Sequence, residues 1–349
     1  MEILWFSVVA FMITVYALLD GFDLGAGAIH LFVARNDAER RSILHAIGPV
    51  WDGNEVWLVA GGGTLYFAFP MLYASSFSGF YLPLMVVLWL LILRALGIEF
   101  RHQIHDPLWK SFWDSAFSLG SLLLALFFGV ALGNVIRGVP LQEDGYFFTP
   151  LWTSFTVQAE AGVLDWFTLI MGLVSLFTLS AHGSNFVALK TSGSIQHRAR
   201  MTARFCWWGV VLSSTAALIG TTAIRPDIWD NYALHTWAYI LPLLGLLGLG
   251  GMLFFNRTGN DPLAFLSSAT FIAATLAGTA FGLFPNVLPA TTDPGRSLTV
   301  YNTISHEYGL SVGIIWWSVG MLLALGYFTF LYRSTRGKVV VPAEGDGYS

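Results

Sequence analysis

The sequence predicts an all-α, polytopic membrane protein with nine transmembrane helices, an outside N-terminus and a cytoplasmic C-terminus. Of its 349 residues, 55% are hydrophobic and only 11% are charged, whereas soluble domains carry about 25% charged residues. Nine segments are apolar over about 20 residues, the length that crosses the hydrocarbon core of a bilayer. We expect residues 1–349 to form a single transmembrane domain.

The nine predicted spans are joined by connections too short to hold a soluble domain. They are Ile3–Leu31, Val50–Leu72, Phe77–Leu96, Trp113–Ile136, Ala161–Leu189, Thr202–Ile224, Leu234–Phe255, Ala264–Val287 and Tyr308–Tyr332. No basic segment and no small-residue cleavage site accompanies the first apolar run, so we expect this run to be a retained helix and not a signal peptide.

The distribution of basic residues predicts the orientation. Of the 17 Lys and Arg residues, all but Arg137, Arg225 and Arg296 fall in or within two residues of the connections after spans one, three, five and seven, or in the C-terminal tail. Cytoplasmic loops carry such an excess of Lys and Arg. An odd number of spans keeps this asymmetry, with the C-terminus in the cytoplasm.

Several kinds of chemistry are excluded for this chain. Cys206 is the only cysteine, so there is no internal disulfide and no cysteine-ligated cluster. P-loop, zinc-protease and serine-nucleophile motifs are missing. Most of the eight histidines lie in predicted loops or at helix ends, without a facing pair that could ligate haem iron. We therefore expect no catalytic residue, no metal site and no nucleic-acid partner.

The stretch LLDGFDLGAG places two aspartates, Asp20 and Asp23, near the end of the first span. Ionisable residues inside a membrane are costly and mark candidate functional sites. They lie roughly 26–30 Å along the helix from its start, near its cytoplasmic end, and share one face. Gly21 and Gly25 form a G-x-x-x-G pair that allows close helix packing. The aspartates therefore serve either helix packing or a polar path from the cytoplasm.

A second polar segment, GPVWDGNEVWLVAGGG, opens the second span. Asp52 and Glu55 lie in it, close to Asn54 and Trp51. Acids in a first turn interact favourably with the helix dipole, and this structural role stays open for Glu55. Asp52 shares its inferred depth with Asp23, so the two could form one inward-facing acidic site.

Further ionisable residues gather at the same predicted surface. Glu99 and Arg101 follow the third span, and Asp114 opens the fourth. Asp114 is either a first-turn cap or part of a polar cluster. Arg94 is either a positive-inside anchor, the commoner use of such a residue, or the partner of an acid.

These features leave two classes of function. One is a secondary transporter with an intramembrane acidic site, and the other is a subunit of a redox complex that supports proton or quinone access. Transporters often carry broken helices in matching halves at the midplane. Here the acids lie at one end and the second half has no matching motif, which favours the redox subunit.

Several segments resemble, in order, subunit II of cytochrome bd-type quinol oxidases. They are LDGFDLGAG, RNDAERR, GPVWDGNEVWLVAGGG, YASSFSGFYLPL, WDSAFSLGS and GVALGNVIRGVP in the first 140 residues, with FGLFPNVLP and TISHEYGL further on. The resemblance is strong over residues 1–140 and rests on fewer signals beyond Leu141.

The resemblance implies a partner and an activity. Subunit I of that family carries two b-type haems, one d-type haem and the quinol-oxidising loop, and pairs with subunit II in the bacterial cytoplasmic membrane. The complex oxidises quinol, reduces dioxygen to water and takes its protons from the cytoplasm, which makes it electrogenic. Subunit II is expected to support haem assembly and a proton path. A structural quinone, lipids and small single-helix subunits are further partners that the resemblance admits.

The resemblance also assigns residues. The family's W-D-G-N motif falls on Trp51, Asp52, Gly53 and Asn54, and the second aspartate of D-G-F-D falls on Asp23. The motif aspartate makes Asp52 the leading candidate for proton entry, assisted by Asp23. The predicted proton path comprises Asp52, Asp23, Asp20 and Glu55. Residues expected to line or support it are Trp51, Gly53, Asn54, Arg94, Glu99, Arg101 and Asp114.

Overall fold

The computed structural model describes residues 1–339, which are mainly α-helical. The helices are α1 Glu2–Val33, α2 Asp37–Ile47, α3 Trp51–Ala68, α4 Pro70–Gly79, α5 Tyr81–Phe100, α6 Pro107–Arg137, α7 Trp166–Lys190, α8 Gly193–Ile224, α9 Ile228–Leu234, α10 Ile240–Thr258, α11 Asp261–Leu283 and α12 Glu307–Ser334. Two 3₁₀ turns, Thr236–Tyr239 and Pro294–Arg296, and two paired strands, β1 Asn286–Leu288 and β2 Leu298–Thr299, complete the regular structure.

Within residues 1–339, eight helices are long and apolar enough to cross a membrane. They are α1, α5, α6, α7, α8, α10 with its preceding 3₁₀ turn, α11 and α12. The predicted second span corresponds to the 18-residue α3, whose first turns are polar. The all-α membrane fold is confirmed, while the count of nine and the orientation of the termini stay predictions.

The connections that hold most basic residues meet at one end of the bundle, which we call the basic end. There, Arg198 Nε donates to the carbonyl of Val33 at 2.7 Å, and the backbone N–H of Val339 donates to Lys190 at 2.8 Å. At the opposite end, the N–H of Ser305 donates to the carbonyl of Ala68 at 2.9 Å. The chain therefore alternates between two ends, as the basic residues predict.

Helix α1 lies at the centre of the bundle, where it contacts α3, α6, α7 and α11. Its closest crossing is with α7. A Cβ atom at Gly25 would overlap the carbonyl oxygen of Leu179, and one at Gly183 would overlap the backbone of Gly25 and Ala26. Small residues at such crossings let two backbones approach closely. This crossing holds the aspartate-bearing part of α1 in place.

The loop helix α2 is not among the predicted elements. It begins after Asn36, whose side chain accepts from the backbone N–H of Glu39 at 2.9 Å. Its apolar side chains Ile43, Leu44 and Ile47 are fully buried against the bundle. An isolated helix of eleven residues is marginal in water, so this one depends on packing that the local sequence does not reveal.

Candidate functional site

The centre of the candidate site is a buried ion pair between α1 and α5. Arg94 donates to the two carboxylate oxygens of Asp20 at 2.8 and 2.5 Å, and both side chains are 0% exposed. Two parallel N–H···O bonds are the strongest geometry for this pair, and burial makes each charge depend on the other. Of the two alternatives for Arg94, the structure shows the partner of an acid and not the membrane-surface anchor.

Glu55 lies at the edge of this pair. One of its carboxylate oxygens is 3.7 Å from a terminal nitrogen of Arg94, and its side chain is 24% exposed. Glu55 occupies the second turn of α3, beyond the first-turn position where helix capping is strongest. It therefore connects the buried Asp20–Arg94 pair with the more accessible part of α3.

Asp23 lies beside this pair, on the same face of α1, and is bound by α3. The side-chain amide of Asn54 donates to Asp23 Oδ2 at 2.7 Å and approaches the carbonyl of Leu19 at 3.3 Å. The hydroxyl of Tyr332 on α12 donates to Asn54 Oδ1 at 2.8 Å. Among the described residues, the other oxygen of Asp23 is buried without a hydrogen-bond partner. Three helices thus meet at this carboxylate.

Asp52 lies at the start of α3, as predicted, but differs from Asp23 in exposure. Its side chain is exposed at the start of α3, while Asp23 is 0% exposed and bound by Asn54. Among the described residues no hydrogen bond joins Asp52 to Asp23, and the shared acidic site stays a prediction. Trp51 packs against the core beside α2, and Gly53 faces Phe328 of α12.

A second buried cluster surrounds Asp114 at the basic end. Asp114 accepts from Arg101 at 2.6 and 3.1 Å, from Arg40 at 3.0 Å and contacts Nε2 of His30 at 2.8 Å. Its side chain is 0% exposed. Asp106, not Asp114, caps α6, because it accepts from the first two free N–H groups of that helix. Asp114 instead fastens α1, α2 and α5 to α6.

Arg101 continues this cluster outward to α2. Arg101 also donates to Asp37 at 2.7 Å, and Asp37 lies 2.6 Å from Arg41 and 3.8 Å from Lys110. Partial burial raises the pKa of Asp37, but these three cations lower it more, so its pKa lies below the usual value. Glu99, by contrast, is exposed on α5.

The docking of α2 is expected to weaken in acid. The pKa of Asp37 is depressed on folding, so its stabilising effect is present above the unfolded pKa of about 3.9 and is lost as the pH falls through the lower folded value. Hydrogen exchange of α2, compared between the wild type and Asp37→Asn at each pH, measures this. We expect faster exchange in the variant at pH 6 and a smaller difference at pH 3. An equal difference at both pH values would contradict this role.

Comparison with known proteins decides the family. The sequence model described as "Cytochrome bd terminal oxidase subunit II" matches residues 1–335. The chain belongs to this family. The match extends well beyond the first 140 residues, where the motifs are densest, and it does not support the transporter alternative. This subunit II is thus a component of a terminal oxidase and a protein of the bacterial cytoplasmic membrane.

Individual relatives agree with this assignment. The chain is 31% identical to the "Probable cytochrome oxidase subunit 2" of Haemophilus influenzae, with 97% of this chain and 95% of that protein aligned. It is 30% identical to the "Cytochrome bd-I ubiquinol oxidase subunit 2" of Escherichia coli, with the same coverage. It is 32% identical to the "Cytochrome bd ubiquinol oxidase subunit 2" of Bacillus subtilis, with 88% of each protein aligned.

A solved structure confirms the fold. A chain of the bd oxidase from Geobacillus thermodenitrificans superposes on this subunit II with a TM-score of 0.75. The alignment covers 95% of this chain and 97% of the other, at 17% sequence identity. At that identity the likeness establishes the architecture of the bundle alone.

The buried His182 of this subunit II does not fit haem ligation. His182 on α7 contacts the hydroxyl of Ser268 at 2.7 Å through one ring nitrogen and the carbonyl of Leu18 at 3.0 Å through the other. His30 is bound to Asp114. Haem iron needs a free ring nitrogen, and both nitrogens of His182 are occupied by protein groups that join α1, α7 and α11.

An ion pair at the end of the bundle opposite the basic end was not predicted from the sequence. Arg137, the last residue of α6, is paired with Asp165, and both side chains are almost fully buried. Asp165 also caps α7 by accepting from the N–H groups of Phe167 and Thr168. The pair joins two consecutive helices, which is a structural role far from the candidate site.

Proposed function

We propose that this subunit II admits protons from the cytoplasm to a quinol oxidase whose subunit I reduces dioxygen to water. In this proposal subunit I holds the b-type and d-type haems and the quinol-oxidising loop, as the family resemblance implies, and the relatives' names give cytochrome bd and a ubiquinol oxidase. Subunit II would supply buried acids and a scaffold for assembly. A structural quinone and single-helix subunits stay predictions from the family.

The observation that carries the proposal is the graded exposure of the acids between α3 and α1. Asp52 is exposed, Glu55 is 24% exposed, and Asp20 with Arg94 is 0% exposed. Asp52 and Glu55 lie three residues apart, so they share one face of α3. A proton that enters at Asp52 therefore has Glu55 as the next acid and the Asp20–Arg94 pair beyond it.

The exposed surface of α12 supports a partner on this side of the bundle. Leu310 is the one α12 residue that is buried, and side chains such as Trp316, Leu322 and Phe330 are each more than 70% exposed. Bulk lipid could cover such a surface, but the start of α3, where Asp52 is exposed, packs against α12 through Gly53 and Phe328. A charge near hydrocarbon is costly, so we assign this surface to subunit I.

The proposal predicts that Asp52→Asn lowers quinol-driven oxygen consumption without loss of haem. Removal of a group that transfers protons typically costs about 100-fold or more in rate. Asp52 makes no hydrogen bond or ion pair with another described residue, so its neutral replacement leaves the fold intact. Oxygen uptake and the reduced-minus-oxidised spectrum of the purified complex measure the two effects.

Asp230→Asn is the matched control. Asp230 is also an exposed aspartate, but it lies on α9 at the opposite end, and its replacement is expected to leave both readouts unchanged. Wild-type oxygen uptake in Asp52→Asn would contradict proton entry at this residue. Loss of haem in that variant would instead assign Asp52 to assembly.

A further inference from the structure

Two lysine hydrogen bonds, one in each direction, join the end of α12 to the end of α7. We call this pair of hydrogen bonds the lysine exchange. Lys190, the last residue of α7, donates from its ammonium to the carbonyl of Thr335 at 2.5 Å. Lys338 donates in return to the carbonyl of Thr191 at 2.5 Å. Each cation thus satisfies a free carbonyl at the C-terminus of the other helix, where positive charge is favourable. This exchange fixes the position of α12 at the basic end.

One turn before this exchange, Tyr332 reaches into the candidate site. Its hydroxyl donates to Asn54 Oδ1 at 2.8 Å, and the amide nitrogen of Asn54 donates to Asp23 at 2.7 Å. The same nitrogen approaches the carbonyl of Leu19 at 3.3 Å. Because a backbone carbonyl can only accept, Leu19 and Tyr332 together require one orientation of the amide.

We propose that Tyr332 is a positioning residue that holds the Asn54 amide toward Asp23, so that the placement of α12 determines the hydrogen bonding of this acid. Asn54 is 0% exposed, so without the Tyr332 hydroxyl its carbonyl oxygen loses a buried partner, which is costly. A full rotation of the amide would place its oxygen against the acceptors Asp23 and Leu19, so loss of the hydroxyl instead loosens the amide and weakens its donation to Asp23.

Helix α12 connects the association with subunit I to the hydrogen bonding of Asp23. The same helix that carries Tyr332 presents the apolar surface that we assign to subunit I. Seating of α12 by that partner would therefore keep Asn54 in the orientation that donates to Asp23. This step rests on the proposed function and adds Asp23, which lies beside the Asp20–Arg94 pair, to the proposed proton path.

The test compares Tyr332→Phe with Tyr232→Phe in the purified oxidase. Tyr232 is a matched control, since its buried hydroxyl also donates at 2.8 Å, but to the carbonyl of Gly278 at the opposite end. For Tyr332→Phe we expect a kcat for quinol-driven oxygen uptake that is lower by about 3- to 10-fold, the equivalent of one net hydrogen bond. The KM for quinol and the haem spectrum should not change. In Tyr232→Phe, the kcat, the KM for quinol and the haem spectrum should all stay at their wild-type values.

Infrared difference spectroscopy measures the carboxyl band of Asp23 directly. A purely structural role of Tyr332 would leave the position of this band unchanged. The carboxyl band that disappears in Asp23→Asn belongs to Asp23, and we expect Tyr332→Phe to shift this band. If that variant does not assemble, 3-fluorotyrosine in place of Tyr332 keeps the shape and makes the hydroxyl a stronger donor, and the band should again shift. An unshifted Asp23 band in the assembled variant would overturn the proposal.

The two proposals can fail separately. Wild-type turnover in Asp52→Asn and Asp23→Asn would remove the proton path. Even with wild-type turnover in those variants, a shifted Asp23 band in Tyr332→Phe would still support the role of Tyr332 in the hydrogen bonding of Asp23. Reduced turnover in Asp52→Asn together with an unshifted band would leave the path and overturn the role of Tyr332.

Discussion

Replacement of Arg94 by methionine is expected to prevent assembly of the oxidase. Arg94 and Asp20 are both 0% exposed and joined by two hydrogen bonds. Removing one member of a buried ion pair leaves the other charge without compensation and costs about 3–5 kcal/mol. This is a large part of the stability of a typical domain. The haem content of membranes that contain the variant measures the loss.

A double variant separates stability from proton transfer. Replacing both members, Asp20→Leu with Arg94→Met, removes the unpaired charge and is expected to restore much of the haem content, because apolar substitutes for a buried pair are often tolerated. Turnover should stay low if Asp20 is part of the path. Arg257→Met, at an exposed arginine of α10, is the control and should keep its haem. A single Arg94→Met variant with full haem content would contradict the structural importance of the pair.

Gly25→Ala is expected to have the second large effect. The added Cβ would overlap the carbonyl oxygen of Leu179, a backbone atom that no side-chain rotation can move away. Overpacking typically costs about 1–3 kcal/mol, and we expect the upper end of this range because α1 and α7 must separate. Separation would also draw Asp20 and Asp23 away from α3 and α5. A lower thermal midpoint of the purified complex, with reduced turnover, measures this.

Gly62→Ala is the control for helix propensity. Gly62 also lies within a helix, α3, and a Cβ there meets no atom within 4 Å. The change should be neutral or slightly stabilising, because alanine is favoured over glycine in a helix by about 1 kcal/mol. Equal effects of the two substitutions would contradict the close crossing at Gly25.

The membrane fold and the depth of the acids could be predicted from local sequence. Apolar runs identify long helices because a bilayer requires about 20 apolar residues. The positions of Asp20 and Asp23 follow from counting along the first run. The separation of Asp23 from Asp52 could not be predicted in this way, because depth along a helix does not state which neighbour a side chain faces.

The same limit explains why two alternatives stayed open for Arg94 and for Asp114. Arginines at membrane boundaries are usually anchors, and acids near helix starts are usually caps. Arg94 pairs with Asp20 across 74 positions of sequence, and Asp114 contacts His30 across 84. Their partners lie on other helices, so no local pattern could identify them.

The sequence by itself determined that this protein is a helical membrane subunit with acids near one end, because hydropathy and charge are local properties of the chain. The tertiary structure alone decided which charges are paired and that Asp52 stays exposed. It also decided that Asn54 donates to Asp23 and that Tyr332 donates to Asn54. These outcomes depend on how α1, α3, α5 and α12 cross, and the crossings are set by packing between residues far apart in the chain.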